Sequence, residues 1–255
     1  MIEKQIDIAT ADGKMDAFVT HPEEGGPFPA VVVLMDIWGL REELYDVARR
    51  IAAVGYFCVL PNFWYRRGRV RYEFRDENGR MRSLITLPKA VQDEIRDNAR
   101  LVTDRMAMAD IGLVLTFLDA EPMARKGPKG TVGYCLGGRL SLAAAAEFPD
   151  QFRASASMHG TTLVSDAPDS PHRLVDKMRG EIYCGFAEKD QWAPPSTIET
   201  LAKLFEDRAD VLRYRAIVHP GTEHGYALPD RDIFHKASNN RDWEHIFAMF
   251  RRQLG

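Results

Sequence analysis

The segment Thr131-Val132-Gly133-Tyr134-Cys135-Leu136-Gly137-Gly138-Arg139 constrains this chain more than any other. An apolar strand pattern from Pro128 to Gly133 passes almost directly into a helix pattern that runs through Ala143-Ala144-Ala145-Ala146. A side chain at so sharp a strand-to-helix turn is held exposed above a sheet, on a strained backbone. The strand and helix backbones nearly touch there, so the turn demands small residues two positions before it and two or three after. Gly133, Gly137 and Gly138 fill those places around Cys135. Glycine is about 7% of average sequences, which makes three at these offsets from one cysteine roughly a one-in-a-thousand coincidence.

Such a turn needs a sheet around it, and the chain supplies one. Ile6–Ile8 and Lys14–Thr20 alternate around Ala11-Asp12-Gly13, the pattern of a β-hairpin. Ala30–Met35 is a short, fully apolar, β-branched run, as in a strand buried on both faces. A helix pattern follows over Arg41–Val54, with Leu44, Val47, Ala48 and Ile51 on one face. Gly55 closes it, and Tyr56–Leu60 is a further strand. Downstream, Val91–Leu118 reads as one helix and Phe152–Met158 and Ile182–Phe186 as strands. Pro195–Phe205 reads as helix, Val211–Val218 as strand and Arg241–Leu254 as a closing helix. Strands alternating with helices imply a mostly parallel, doubly wound α/β sheet behind an N-terminal antiparallel hairpin. The length of 255 residues suits one large α/β domain or two small ones. With no internal repeat and no linker, a single domain over 1–255 is expected. Residues 62–88 stand apart as an insertion with seven arginines among aromatics, either a plain excursion between sheet units or a lining of the site.

Composition narrows the function classes. Hydrophobic residues are 45% and charged residues 28%, the mix of a soluble globular protein. Lys and Arg number 34 against 37 Asp and Glu, so no basic excess points to nucleic acid. The longest apolar runs, Ala30–Met35 and Leu142–Ala146, are too short to span a bilayer. Charges interrupt the N-terminal residues at once, so a cytoplasmic protein without membrane partners is expected. Three cysteines without a CxxC argue against a disulfide framework, a zinc ribbon or a dithiol redox site. Cys58 and Cys184 sit inside apolar strands and read as small core residues.

A thiol nucleophile needs a base, and the base needs a group to orient it. No Gly-x-Ser-x-Gly competes for the role, and the helix beginning just after Cys135 turns its positive end toward the sulfur. In this topology the chain order is nucleophile, acid, histidine, each at the carboxyl end of a strand. Asp190 follows the Ile182–Phe186 strand, and His224 follows the Val211–Val218 strand. Glu188 is the rival acid and His219 the rival base. His159 reads as pocket-lining or as a core histidine. Three bland or rival readings stay open: a buried cysteine packing a tight turn, a non-catalytic ligand-binding protein, and a metal site from His219, Glu223 and His224. The last lacks HExxH spacing, and no metal or cofactor is expected.

These residues resemble the dienelactone hydrolase family, which has the α/β-hydrolase fold, and the likeness runs over nearly the whole chain. Gly133-Tyr134-Cys135-Leu136-Gly137-Gly138 is similar to that family's cysteine elbow, and His224-Gly225-Tyr226-Ala227 to its histidine loop. Met35-Asp36-Ile37-Trp38-Gly39 resembles the loop carrying a functional acid and an oxyanion amide. Pro61-Asn62-Phe63-Trp64-Tyr65-Arg66 resembles the segment with a substrate-binding arginine. The resemblance implies a Cys135–His224–Asp190 triad that hydrolyses small-molecule esters or lactones through a thioester. It implies Leu136 and Ile37 N–H groups in an oxyanion hole and Asp36 tuning Cys135. It implies Arg66 holding an anionic group, with Trp38, Trp64 and Tyr226 on the substrate. Other esters, such as phosphotriesters or thioesters, are the alternative substrates. The chain departs from the family pattern at Asp36, where those enzymes carry glutamate. It departs again at Leu228, where they carry a second arginine; Arg231 lies three residues on.

Overall fold

The computed structural model describes residues 1–255. Ile2–Thr10 (β1) and Gly13–His21 (β2) pair antiparallel in full register, Thr10 opposite Gly13 and Ile2 opposite His21. The remaining strands are Phe28–Leu34 (β3), Phe57–Pro61 (β4), Ala124–Tyr134 (β5), Phe152–Met158 (β6), Gly180–Lys189 (β7) and Leu212–Glu223 (β8). All eight form one sheet in the order β1-β2-β4-β3-β5-β6-β7-β8. From β4 to β8 every pairing is parallel, while β2 joins β4 antiparallel. The mostly parallel sheet behind an N-terminal hairpin is therefore present, and it is the α/β-hydrolase architecture.

Helices Glu42–Ala52 (α1), Lys89–Arg100 (α2), Asp104–Ala120 (α3), Leu136–Glu147 (α4), Pro195–Glu206 (α5) and Lys236–Leu254 (α6) connect the strands. Successive side chains of a strand point to opposite faces, and β5 shows what covers each. Thr131 Oγ1 hydrogen-bonds Ser141 of α4 at 2.6 Å. Its neighbour Gly130 faces α6, where a Cβ would lie 3.0 Å from Phe250. On the α6 side, the Arg50 guanidinium of α1 sits 4.7 Å over the Trp243 ring. With both faces covered, Val31, Val32, Val33 and Leu34 are completely buried. This explains the unbroken apolar run of β3.

Two helix expectations need correction. The span Val91–Leu118 is two helices, not one, broken at residues 101–103. Thr103 takes the N-cap, its hydroxyl accepting from Met106 N–H at 3.2 Å. That satisfies a first-turn donor of α3 and ends the continuation of α2. The last helix begins at Lys236 rather than Arg241, with the His235 ring nitrogen accepting from Ser238 N–H. No helix is long and apolar enough to cross a membrane.

The chain passes from β3 to β4 on one side and then to β5 on the other. A crevice therefore opens at the carboxyl ends of β3 and β5. Residues 62–88 fold over this edge through two short 3-10 turns, Tyr65–Arg67 and Leu84–Thr86. They are fastened to the loop after β8: Met81 N–H donates to Asp230 C=O at 2.7 Å and Asp232 N–H to Met81 C=O at 3.0 Å. Ser83 adds its N–H and hydroxyl to the Asp232 carboxylate at 2.8 and 2.9 Å.

Candidate active site

Cys135 sits between β5 and α4 with φ 55° and ψ −113°, a backbone region that L-residues seldom occupy. The flanking glycines are required by close approach. A Cβ on Gly133 would lie 1.9 Å from Gly137 O, and one on Gly137 2.2 Å from Leu34 O. The turn is tied down by Cys135 N–H to Met158 C=O at 3.0 Å and Gly138 N–H to Cys135 C=O at 3.0 Å. The strain is held by surrounding structure, as it is at functional turns.

Asp190 and His224 meet at the ends of β7 and β8. The His224 Nδ1–H donates to Asp190 Oδ2 at 2.7 Å, and Trp192 N–H donates to Asp190 Oδ1 at 2.8 Å. His224 Nε2 has no hydrogen-bond partner and is the nitrogen left for chemistry. Burial opposes charge on this ring. The Cys135 sulfur and the Asp190 carboxylate outweigh it and push the His224 imidazole up to about 10. The rivals are engaged elsewhere: Glu188 accepts from Gly221 N–H at 2.8 Å, and His219 Nε2 hydrogen-bonds Asp242 at 2.6 Å.

Cys135, His224, Leu136, Ile37, Trp38 and Arg231 all line one cavity of about 750 Å³. The 62–88 segment contributes Ser83, Leu84 and Ile85 to its wall. Neither the Leu136 nor the Ile37 N–H donates to another group of the protein. For Leu136 this follows from its place at the first turn of α4, where an N–H has no intrahelical acceptor.

Four of the residues expected at the site do not line this cavity. Arg66 lines no part of the cavity; it pairs with Asp110 at 2.8 and 3.0 Å and with Asp12 at 2.6 Å. Asp110 is buried on α3, and a buried carboxylate requires such a cation. Trp64 lies behind the loop that carries Ile37 and Trp38, 3.3 Å from where a Gly39 Cβ would be. The Tyr226 hydroxyl donates to Asp242 at 2.8 Å within a buried cluster that also holds Tyr183 and His219. Asp36 is buried, with both carboxylate oxygens taken by Arg41 and one also by Trp38 N–H.

Of the cations that line the cavity, Arg231 is the buried one. It is buried, its Nε has no partner, and no carboxylate pairs with it. Its guanidinium lies 5.2 Å from the centre of the Trp38 ring. Burial, with Arg41 nearby, pulls its pKa below the ordinary arginine value against the attraction of Asp36. Sequence reasoning missed Arg41, Asp230 and Asp242 altogether.

The chain is similar to known proteins over nearly its whole length. The model of the dienelactone hydrolase family matches residues 15–254. Proteins of Methylorubrum extorquens and Escherichia coli K12, each called "Putative carboxymethylenebutenolidase", are 25% and 26% identical. These matches cover 99% and 97% of this chain and 81% and 86% of those proteins. Among solved structures, a dienelactone hydrolase of Klebsiella pneumoniae, "Putative" in its own description, superposes with a TM-score of 0.82 at 22% identity over 98% of both chains. The dienelactone hydrolase-like promiscuous phosphotriesterase P91, from metagenomic libraries, gives 0.72 at 18% identity, over 100% of this chain and 99% of that one.

Proposed function

This chain belongs to the dienelactone hydrolase family, and from that premise we propose that it hydrolyses carboxylic esters or lactones through a covalent thioester on Cys135. The observation that carries the reading is the alignment at one cavity of a strained Cys135, a His224 whose charge its sulfur supports, and Asp190 behind the ring.

In this mechanism the Cys135 sulfur attacks the substrate carbonyl, and the developing oxyanion receives the Leu136 and Ile37 N–H groups. Each such donor is worth about 10²–10³ in rate. The acyl C–O bond breaks as His224 delivers its proton to the departing oxygen, leaving a thioester. In a lactone that oxygen stays tethered to the acyl group. Water then loses a proton to His224, adds to the thioester, and expels the Cys135 sulfur. Asp190 keeps the Nε2 side of the ring aimed at the reacting atoms throughout.

The anionic group assigned by sequence to Arg66 falls instead to Arg231, the buried cation of the cavity that no carboxylate pairs with. The relatives' name denotes a lactone that bears a carboxylate, and Arg231 is where such a group would be met. The cavity size is in the range that encloses drug-sized ligands, so larger esters are included. Three free cysteines suit a reducing compartment, and we place the protein in the cytoplasm.

The test is Cys135→Ala and Cys135→Ser on p-nitrophenyl acetate and on lactones. Turnover is expected to fall by more than about 10³-fold, and the wild-type enzyme should show an acyl adduct on Cys135 by mass spectrometry. Near-native turnover in either variant would overturn the assignment.

A further inference from the structure

Two loops build the site from distant parts of the chain, and a single buried guanidinium holds both. Arg41 NH1 and NH2 donate to the two oxygens of Asp36 at 2.8 and 2.9 Å. Its Nε donates to Asp230 Oδ2 at 2.6 Å, and NH2 also reaches Asp230 Oδ1 at 3.4 Å. The side chains of Asp36 and Arg41 are each 1% exposed and that of Asp230 10%. Burial alone would pull the Arg41 guanidinium down, yet Asp36 and Asp230 hold it above its ordinary value.

Each end of this bridge carries a working part of the site. Asp36 Oδ1 also accepts from Trp38 N–H at 3.0 Å, which fixes the turn on either side of Ile37 and so the direction of its N–H. Asp230 lies six residues beyond His224 and adjoins Arg231. Its carbonyl accepts from Met81 N–H at 2.7 Å, which ties in the 62–88 segment. Arg231 in turn lies over Trp38, so the two loops also touch on the cavity side.

We propose that Arg41 is a positioning residue for hydrolysis. By binding Asp36 and Asp230 together it sets the Ile37 N–H and Arg231 against Cys135 and His224, and the Asp36 carboxylate serves this bridge rather than the thiol. The proposal rests on the Cys135 nucleophile reading above. Its physical basis is that oxyanion donors work only near 2.7–3.1 Å from the oxyanion. A displacement of about 1 Å can cost on the order of 10²-fold in rate. A planar guanidinium fork fixes both distance and orientation of a carboxylate, whereas an ammonium fixes neither.

The experiment uses the full chain with Arg41→Lys, Asp230→Asn and the double variant. Four quantities are read: kcat and KM on neutral p-nitrophenyl acetate, the rate of Cys135 alkylation by iodoacetamide, and the melting temperature. Arg41→Lys is expected to lower kcat about 10–100-fold, while KM for the neutral ester and the alkylation rate change by less than about twofold. Asp230→Asn keeps the Arg41–Asp36 pair and should lose less. The double variant should be no worse than Arg41→Lys, because both act through one bridge. Unchanged kcat in Arg41→Lys overturns the proposal. So does a parallel loss of kcat and alkylation, which would make Arg41 a general support of the fold. Should Arg41→Lys fail to fold, Asp230→Asn decides alone, and native kcat there overturns the proposal. Failure of the underlying reading is told apart by Cys135→Ala, whose near-native turnover would remove the nucleophile itself.

Discussion

The ring of His159 meets the ring of His224 edge to face, their centroids 5.0 Å apart. His159 directly follows β6 with φ 38°, is buried, and neither ring nitrogen has a hydrogen-bond partner. Burial, and then the neighbouring His224, hold its pKa well below the ordinary histidine value of 6.5. The folded state therefore refuses a proton that the unfolded chain accepts. The stability His159 contributes is present above pH 6.5 and is lost as pH falls below it. The slope expected from this group is about 1.4 kcal/mol per pH unit. Urea unfolding of the wild type and of His159→Phe between pH 7 and pH 5 checks it. The phenylalanine variant should show the shallower acid decline, and equal slopes would refute the assignment.

His224 titrates in the opposite sense. Burial disfavours its charge, but Cys135 and Asp190 raise it to about 10 from 6.5. Stability from the charged ring is fully present below pH 6.5 and is lost as pH rises through about 10. NMR of the ring protons should show His224 still charged at neutral pH. Cys135→Ala should bring its titration down, since the sulfur is the chief group raising it. An unshifted titration in that variant would count against a charge-coupled pair.

The elbow could be read from sequence because its demands are local and steric. A Cβ at Gly133 or Gly137 would strike backbone within 1.9–2.2 Å, so the glycines advertise the turn. That Asp190 and His224 end neighbouring strands and meet followed from strand order, which the apolar runs reveal. Ion pairing is not local in this sense. Arg66 matches a motif position, but its partner Asp110 lies 44 residues away, buried on a helix whose facing the sequence pattern left unspecified. Arg41 meets Asp230 across 189 residues, a contact that no pattern around either residue announces. The break at Thr103 was hidden differently, by an apolar pattern that runs on through a capped turn.

Gly137→Ala is expected to be a severe variant. The new methyl would stand 2.2 Å from Leu34 O and 2.6 Å from Met35 O, and both are backbone atoms in or beside a central strand. Neither can yield without moving β3 or α4. Overpacking of this kind typically costs about 1–3 kcal/mol and sometimes more. The urea midpoint should fall accordingly. Any folded fraction should lose esterase turnover as well, since the same shift moves Leu136 N–H. A stable, active Gly137→Ala would mean that the elbow is looser than drawn.

Arg231 and Arg66 make opposite predictions, and together they separate recognition from support. Arg231 is buried in the cavity without a carboxylate partner, whereas Arg66 neutralises Asp110 and Asp12 away from it. A hydrogen-bonded ion pair to substrate is worth about 1.5–3 kcal/mol, or roughly 10–150-fold in affinity. Arg231→Met should therefore raise KM by about that factor for an ester or lactone bearing a carboxylate. On a neutral ester of similar size it should leave KM nearly unchanged. Removing an unpaired buried cation should not reduce stability, and the desolvation it relieves favours a higher melting temperature. Arg66→Met should do the reverse. It leaves Asp110 buried without its cation, so a loss of about 3–5 kcal/mol in stability is expected. KM for charged and neutral substrates should then shift together or not at all. Steady-state kinetics on a matched pair of substrates, with thermal melts of both variants, decide the matter. A charge-selective KM effect at Arg66 and none at Arg231 would return the anion site to the 62–88 segment.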